Sequence, residues 1–201
     1  MTIKAKFSNS YKAKQMRIKR LPKLLKSVVS GATKKDLLGM KKIFHDGIKD
    51  NRLGLDALAE STIRSKKAKG YPKAKSPLYG AGDTEGDRSY ANMLLIAKVK
   101  NGWKLRPSTR KHHSGNVTLK DLFMIHEHGA LIKKKTKNGK ASLIRIPPRP
   151  AFLIAYKRWL GQRKKSQKET SLEVKAAIRE FINTGSKKKL KVLQDYEKRE
   201  K

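Results

Sequence analysis

The sequence predicts an α+β protein, and three observations do so. Ile96 to Leu105 (IAKVKNGWKL) alternates on either side of Asn101-Gly102, a pair suited to the positive φ values of a tight hairpin. Thr33 to Asp50 places Leu37, Met40, Phe44 and Ile48 on one helical face, joined by Ile43. Beyond Pro150 the apolar spacing is helical almost to the end. Paired strands in the middle of a chain with helices on both sides fit the α+β class.

Taken in order, residues 1–30 hold seven Lys, two Arg and no acid. Ile3, Ala5 and Phe7 alternate as in a short strand, and Leu21 to Val29 fits a helix starting near Pro22. A solvated, partly ordered tail fits equally, because arms of like charge order against a partner. Thr33 to Asp36 reads as a capping box, with Asp in place of Glu, that starts the next helix. Leu55 to Lys67 reads as a second helical piece. Gly70 to Gly86 reads as a loop whose Gly80, Gly82 and Gly86 lack the spacing of a phosphate cradle. Ser89 to Leu95 fits a helix or a strand, and Arg106 to Val117 reads as a polar loop. Thr118, with Asp121 three residues on, caps a helix reaching Ile125. Lys133 to Lys140 reads as a hairpin tip or exposed loop, and Leu143 to Ile146 as a short strand. Phe152 to Leu160 is helical; Thr170-Ser171-Leu172-Glu173 reads as the box of another helix, ending at Gly185; a last helix covers Ser186 to Arg199. Trp159 and Phe181 read as packing anchors. The organisation is a basic N-terminal arm over 1–30, an α+β core over 31–160 and a C-terminal helical extension over 161–201.

Charge is the strongest compositional signal. The chain has 201 residues, with 51 Lys and Arg against 16 Asp and Glu, giving a net charge of +35. Such a field attracts polyanions. Lysine predominates, and a mobile point charge neutralises phosphates rather than reading bases. Any nucleic-acid contact is therefore expected to be sequence-blind and salt-dependent. Hydrophobic residues make up 37% of the chain, so the expected core is modest. The absence of cysteine excludes disulfides and cysteine-ligated zinc. No run is long enough to span a membrane, and no signal-peptide core follows the basic start, so synthesis in the cytoplasm is expected.

Catalytic patterns are weak. His126 and His128 lie two apart, whereas a zinc-protease pair lies four apart on a helix. His112, His113 and Asn116 faintly suggest a histidine nuclease, but its acidic metal ligands have no obvious place. The carboxylates Asp83, Glu85 and Asp87 sit in a glycine-rich loop and suit pairing with a neighbouring subunit's lysines.

One stretch organises the chain. His126-Glu127-His128-Gly129 follows an apolar run, and Ile146-Pro147-Pro148-Arg149-Pro150-Ala151-Phe152 leads into a helix. Upstream stand Leu58-Ala59-Glu60-Ser61-Thr62-Ile63, Lys66, and Ser76-Pro77-Leu78-Tyr79-Gly80-Ala81-Gly82. In order and spacing these segments resemble the phage virion-morphogenesis family, the tail-completion or neck proteins of long-tailed bacteriophages. The likeness runs from about Leu55 to Trp159. Ala81 stands where that family usually has Thr, and Asp83 to Asp87 is longer and more acidic than the family's usual continuation.

The resemblance implies an antiparallel sheet packed by helices on one side. It implies a virion protein with no enzymatic activity and no cofactor, acting in tail completion and head–tail joining. Its subunits would form a ring, expected to be a hexamer, beside the connector, the tail terminator and the tail tube or sheath, around the channel that DNA crosses. His126, Glu127, Gly129, Pro147, Pro148, Arg149, Pro150 and Phe152 become structural or interface residues, with Arg149 as a fork donor. The prolines are expected to aim the following helix outward to a partner. Lys133, Lys134, Lys135, Lys137 and Lys140 are expected near DNA on charge alone. The second reading is a free, sequence-nonspecific basic nucleic-acid-binding protein, and the third an enzyme with a histidine or metal site.

Overall fold

The computed structural model describes residues 9–71, 74–76, 78, 89–100, 102–112, 117–135 and 141–198. The protein is α+β and mostly helical, with two small antiparallel two-stranded sheets. The order is α1 (Asn9–Lys49), α2 (Glu60–Ala68), β1 (Leu94–Val99), β2 (Gly102–Pro107), α3 (Leu119–His128), β3 (Ala130–Lys135), β4 (Ala141–Ile146), α4 (Ala151–Thr184) and α5 (Lys188–Lys198). None of these helices is long and apolar enough to cross a membrane.

The chain divides into two compact units. The terminal unit takes Met1–Leu37, Lys98–Trp103 and Gln162–Lys201; the central unit takes Leu38–Ala97 and Lys104–Gly161.

In the terminal unit, Val28, Ala177, Phe181 and Leu190 form a small core, with Leu21, Leu24, Val174 and Ile178 packed against it. Polar ties reinforce this core. Arg17 Nη1 donates to the carbonyls of Ile182 at 3.0 Å and Asn183 at 2.8 Å, in the last turn of α4. Gly185 then ends the helix at φ 82°, the left-handed stop that glycine supplies most cheaply. Gln194 Nε2 donates to Ser27 Oγ at 2.7 Å. Trp103 Nε1 donates to Ser30 Oγ at 2.9 Å, and Lys34 Nζ lies 4.7 Å from the indole centroid.

Three expected helix starts are corrected here. Thr33 does not begin a helix, because α1 runs unbroken through it from Asn9. Its hydroxyl donates to Val29 O at 2.9 Å, the back-bond to the preceding turn that a threonine inside a helix makes. Asp36, the expected cap partner, accepts from Arg163 Nε at 3.0 Å instead. Likewise α4 passes through Thr170 without a break, and Glu173 lies 3.7 Å from Lys35 Nζ. Pro22 falls inside α1 rather than at its start.

The central unit holds the larger core. Met40, Phe44 and Ile48 from α1 meet Leu53, Leu55, Tyr90, Met93, Leu94, Leu119, Ala151, Ala155 and Trp159. Helix α1 stops where Asn51 takes φ 51°, and Ser76 Oγ donates to Ile48 O at 2.6 Å near that end. Helix α2 starts at Glu60, five residues later than the expected Leu55. The hairpin expected around Asn101-Gly102 is present as β1–β2, with Gly102 at φ 142°. Thr118 caps α3 as expected, its hydroxyl accepting from Asp121 N at 3.1 Å. Strands β3 and β4 pair from Ala130↔Ile146 to Lys135↔Ala141. That register puts Leu131 and Leu143 on one face as diagonal neighbours, 69% and 66% exposed. The first turns of α4 point inward, with Ala151, Ala155 and Trp159 buried; the prolines therefore seat this helix in the core rather than aim it outward.

Candidate functional site

The site lies in the central unit and is assembled by the β3–β4 ribbon. Helix α3 ends at His128, and Gly129 turns the chain with φ 76° and ψ 173°, a region open in practice to glycine alone. The ribbon then pairs Ala130 with Ile146, so the chain returns beside its own turn. Space there is as restrictive as the dihedral. A Cβ on Gly129 would lie 2.8 Å from Ile146 O and 3.2 Å from Pro148 Cδ. The main-chain N–H of Arg149 donates to His126 O, locking the returning segment to α3.

Glu127 then closes the joint. Its Oε1 accepts from Phe152 N at 2.7 Å and its Oε2 from Leu153 N at 3.2 Å. A helix begins with N–H groups that have no partner within the helix, and a carboxylate there also meets the positive end of the dipole. Pro150 has no N–H to satisfy, and its carbonyl accepts from Ile154 N at 3.1 Å as α4 begins. Burial pushes the Glu127 carboxyl above its usual range, against the pull of the two N–H groups and His128.

His126 faces the interior, its ring edge-on to Tyr90 with centroids 4.9 Å apart. Burial, then Arg149, then His112 lower its pKa to about 4, so the imidazole is neutral near pH 7. Tyr90 is buried, and burial followed by the Glu127 charge pushes its phenol upward. Tyr90 Oη, His126 Nδ1 and Arg149 Nε have no hydrogen-bond partner among the described residues. Phe152 packs edge-on against Phe123 at 5.4 Å and Phe44 at 6.3 Å.

No known protein family, curated protein or solved structure matches this chain.

The fold thus brings His126, Glu127, Gly129, Pro148, Arg149 and Phe152 into one joint. Pro147 stands exposed beside it. Of the lysines expected near DNA, Lys133 is not part of it. Lys133 is exposed on β3, Lys134 and Lys135 follow on the same strand, and Lys137 and Lys140 lie outside the described residues. Among the described residues no group of three or more His, Cys, Asp or Glu is placed to hold a metal ion. His126 and His128 lie on a helix, where positions two apart do not share a face. Sequence reading missed Tyr90, a lone aromatic in a polar stretch with no periodic signal. It also missed that Glu127 serves a helix that begins 24 residues later.

Proposed function

We propose that this protein is a non-enzymatic structural component of a tailed-phage virion, acting at the neck or tail top in tail completion and head–tail joining. The observation that carries this reading is how the motif residues spend their chemistry. The His126 carbonyl, the Glu127 carboxylate and the Gly129 turn all bind the returning proline segment and the start of α4. A motif consumed in holding two segments together suits a scaffold. The segments so joined are the ones that resemble the virion-morphogenesis family.

The ribbon supports an assembling subunit. A two-stranded sheet is marginal alone, and Leu131 and Leu143 leave apolar surface in water. A ring of identical subunits, six in this proposal, covers such surfaces through heterologous contacts. The net charge of +35 suits a ring around the channel that DNA crosses. The same charge favours a second reading, a free sequence-nonspecific nucleic-acid binder. The two differ in solution mass: a ring component closes into an oligomer with its neck or tail partners, and a free binder stays a monomer or dimer.

Electron micrographs of lysates lacking this gene product test the proposal. Filled heads and finished tails lying apart are expected. Overlong tails would move the role to tail termination. Normal particles, or empty heads without a joining defect, would overturn it.

A further inference from the structure

A groove in the terminal unit, of about 710 Å³, runs between α1 and the tip of the β1–β2 hairpin. Lys23 and Lys26 stand on the α1 wall, Lys98 and Lys100 on the hairpin wall, and among the described residues no Asp or Glu lines it. All four lysines are exposed. A second groove in the same unit, of about 480 Å³ between α1 and α4, is also lined by charge, but there the charges are matched. Its Arg163 pairs with Asp36 at 3.0 Å, and its Lys35 lies 3.7 Å from Glu173. Among the described residues, positive charge therefore converges from two elements with no acid in the lining of the first groove, whereas Asp36 lines the second.

We propose that this lysine groove seats the phosphodiester backbone of duplex DNA, in a sequence-independent way. The donors present select that ligand. The groove's hydroxyls are engaged inside the protein: Ser27 Oγ donates to Leu24 O at 2.9 Å, Thr33 Oγ1 to Val29 O at 2.9 Å, and Ser30 Oγ accepts from Trp103. The groove's exposed polar groups are ammonium groups, which neutralise phosphates as point charges and carry no base code. Single strands are held by aromatic platforms on which bases stack. Trp103, which bonds the groove residue Ser30, is committed elsewhere. The Trp103 indole has Lys34 Nζ 4.7 Å and Lys98 Nζ 5.6 Å from its centroid, and its N–H is spent on Ser30. Stacked, paired bases with a regular backbone are the form that asks for charge alone.

This groove's role rests on the reading that the chain works beside DNA. It is tested apart from head–tail joining, so either can fail alone. Full-length protein is titrated with a mixed-sequence duplex of about 20 base pairs, long enough to span several phosphate contacts, over a range of NaCl concentrations. Three variants accompany the parent. One replaces Lys23, Lys26, Lys98 and Lys100 with Gln. A second replaces the exposed α4 residues Lys157, Lys164, Lys165 and Lys168 with Gln, giving the same net charge. A third replaces the four groove lysines with Arg. Each phosphate contact adds roughly 0.9 to the slope of log K against log salt. The groove Gln variant is therefore expected to lose about 3.6 from that slope, while the α4 variant and the Arg variant keep it. Equal losses in the two Gln variants would mean diffuse attraction and overturn the proposal. A groove Gln variant with an unchanged slope would overturn it, as would tighter binding of the parent to the single strand. Circular dichroism of each variant confirms that the comparison is between folded chains.

Discussion

Gly129 shows how much one residue can be asked to do. The dihedral and the close approach of Ile146 O both exclude a side chain, and relaxing one does not relax the other. Gly129→Ala is expected to cost about 2–3 kcal/mol in urea denaturation. Gly161 is the internal control. It lies within α4, and a Cβ added there would meet nothing, so Gly161→Ala is expected to gain up to about 1 kcal/mol. If Gly129→Ala unfolds at the parent's midpoint, the turn is not what holds the joint. Glu127 is a comparable case in which chemistry rather than space is spent. A carboxylate half out of water is unfavourable alone and becomes useful only because two N–H groups of α4 meet it.

At the scale of elements, the ends of helices were more legible in the sequence than their continuity. Thr118, Gly185 and Gly102 act through local dihedrals and one or two hydrogen bonds, and these are written in adjacent residues. Thr33 and Thr170 carry the same local lettering and cap nothing. Neighbouring helix already supplies acceptors in the preceding turn, and tertiary packing on both sides of each site keeps the helix running. The candidate site was legible as a list of residues, because histidine, glutamate, glycine and prolines stood in a familiar order. Its geometry was not, because it depends on the β3–β4 register that carries Pro148 back over Gly129. Arg17 belongs to this scale too. It lies far from the last turn of α4 in sequence, yet it satisfies two of that helix's terminal carbonyls. Arg17→Ala is expected to cost about 1 kcal/mol and to speed amide hydrogen exchange in the last turn of α4 and in α5. Unchanged exchange there would show that the small apolar core alone fixes that end.

For the whole molecule, His126 makes one contribution to the dependence of stability on acid. Its pKa is about 4 in the fold against 6.5 when free, so the unfolded chain takes up the proton first as pH falls. The stability this group contributes is complete above about pH 6.5 and declines toward pH 4, a loss of about 3 kcal/mol if His126 acted alone. Glu127 opposes it: its carboxyl is raised, so its charged form costs stability at neutral pH and that cost relaxes on acidification. Thermal denaturation between about pH 7 and about pH 4.5 is expected to show a shallower fall for His126→Phe, which keeps the edge contact with Tyr90 and cannot titrate. Parallel falls would assign the effect to other groups. A last consequence comes from the placement of the two tryptophans. Trp103 lies in the terminal unit beneath ammonium groups, and Trp159 lies in the hydrocarbon of the central core. Intrinsic fluorescence is therefore two separable signals in one chain. Replacing either indole with phenylalanine leaves a single optical reporter, so each half of the protein can be watched melting, or meeting a partner, without an added label.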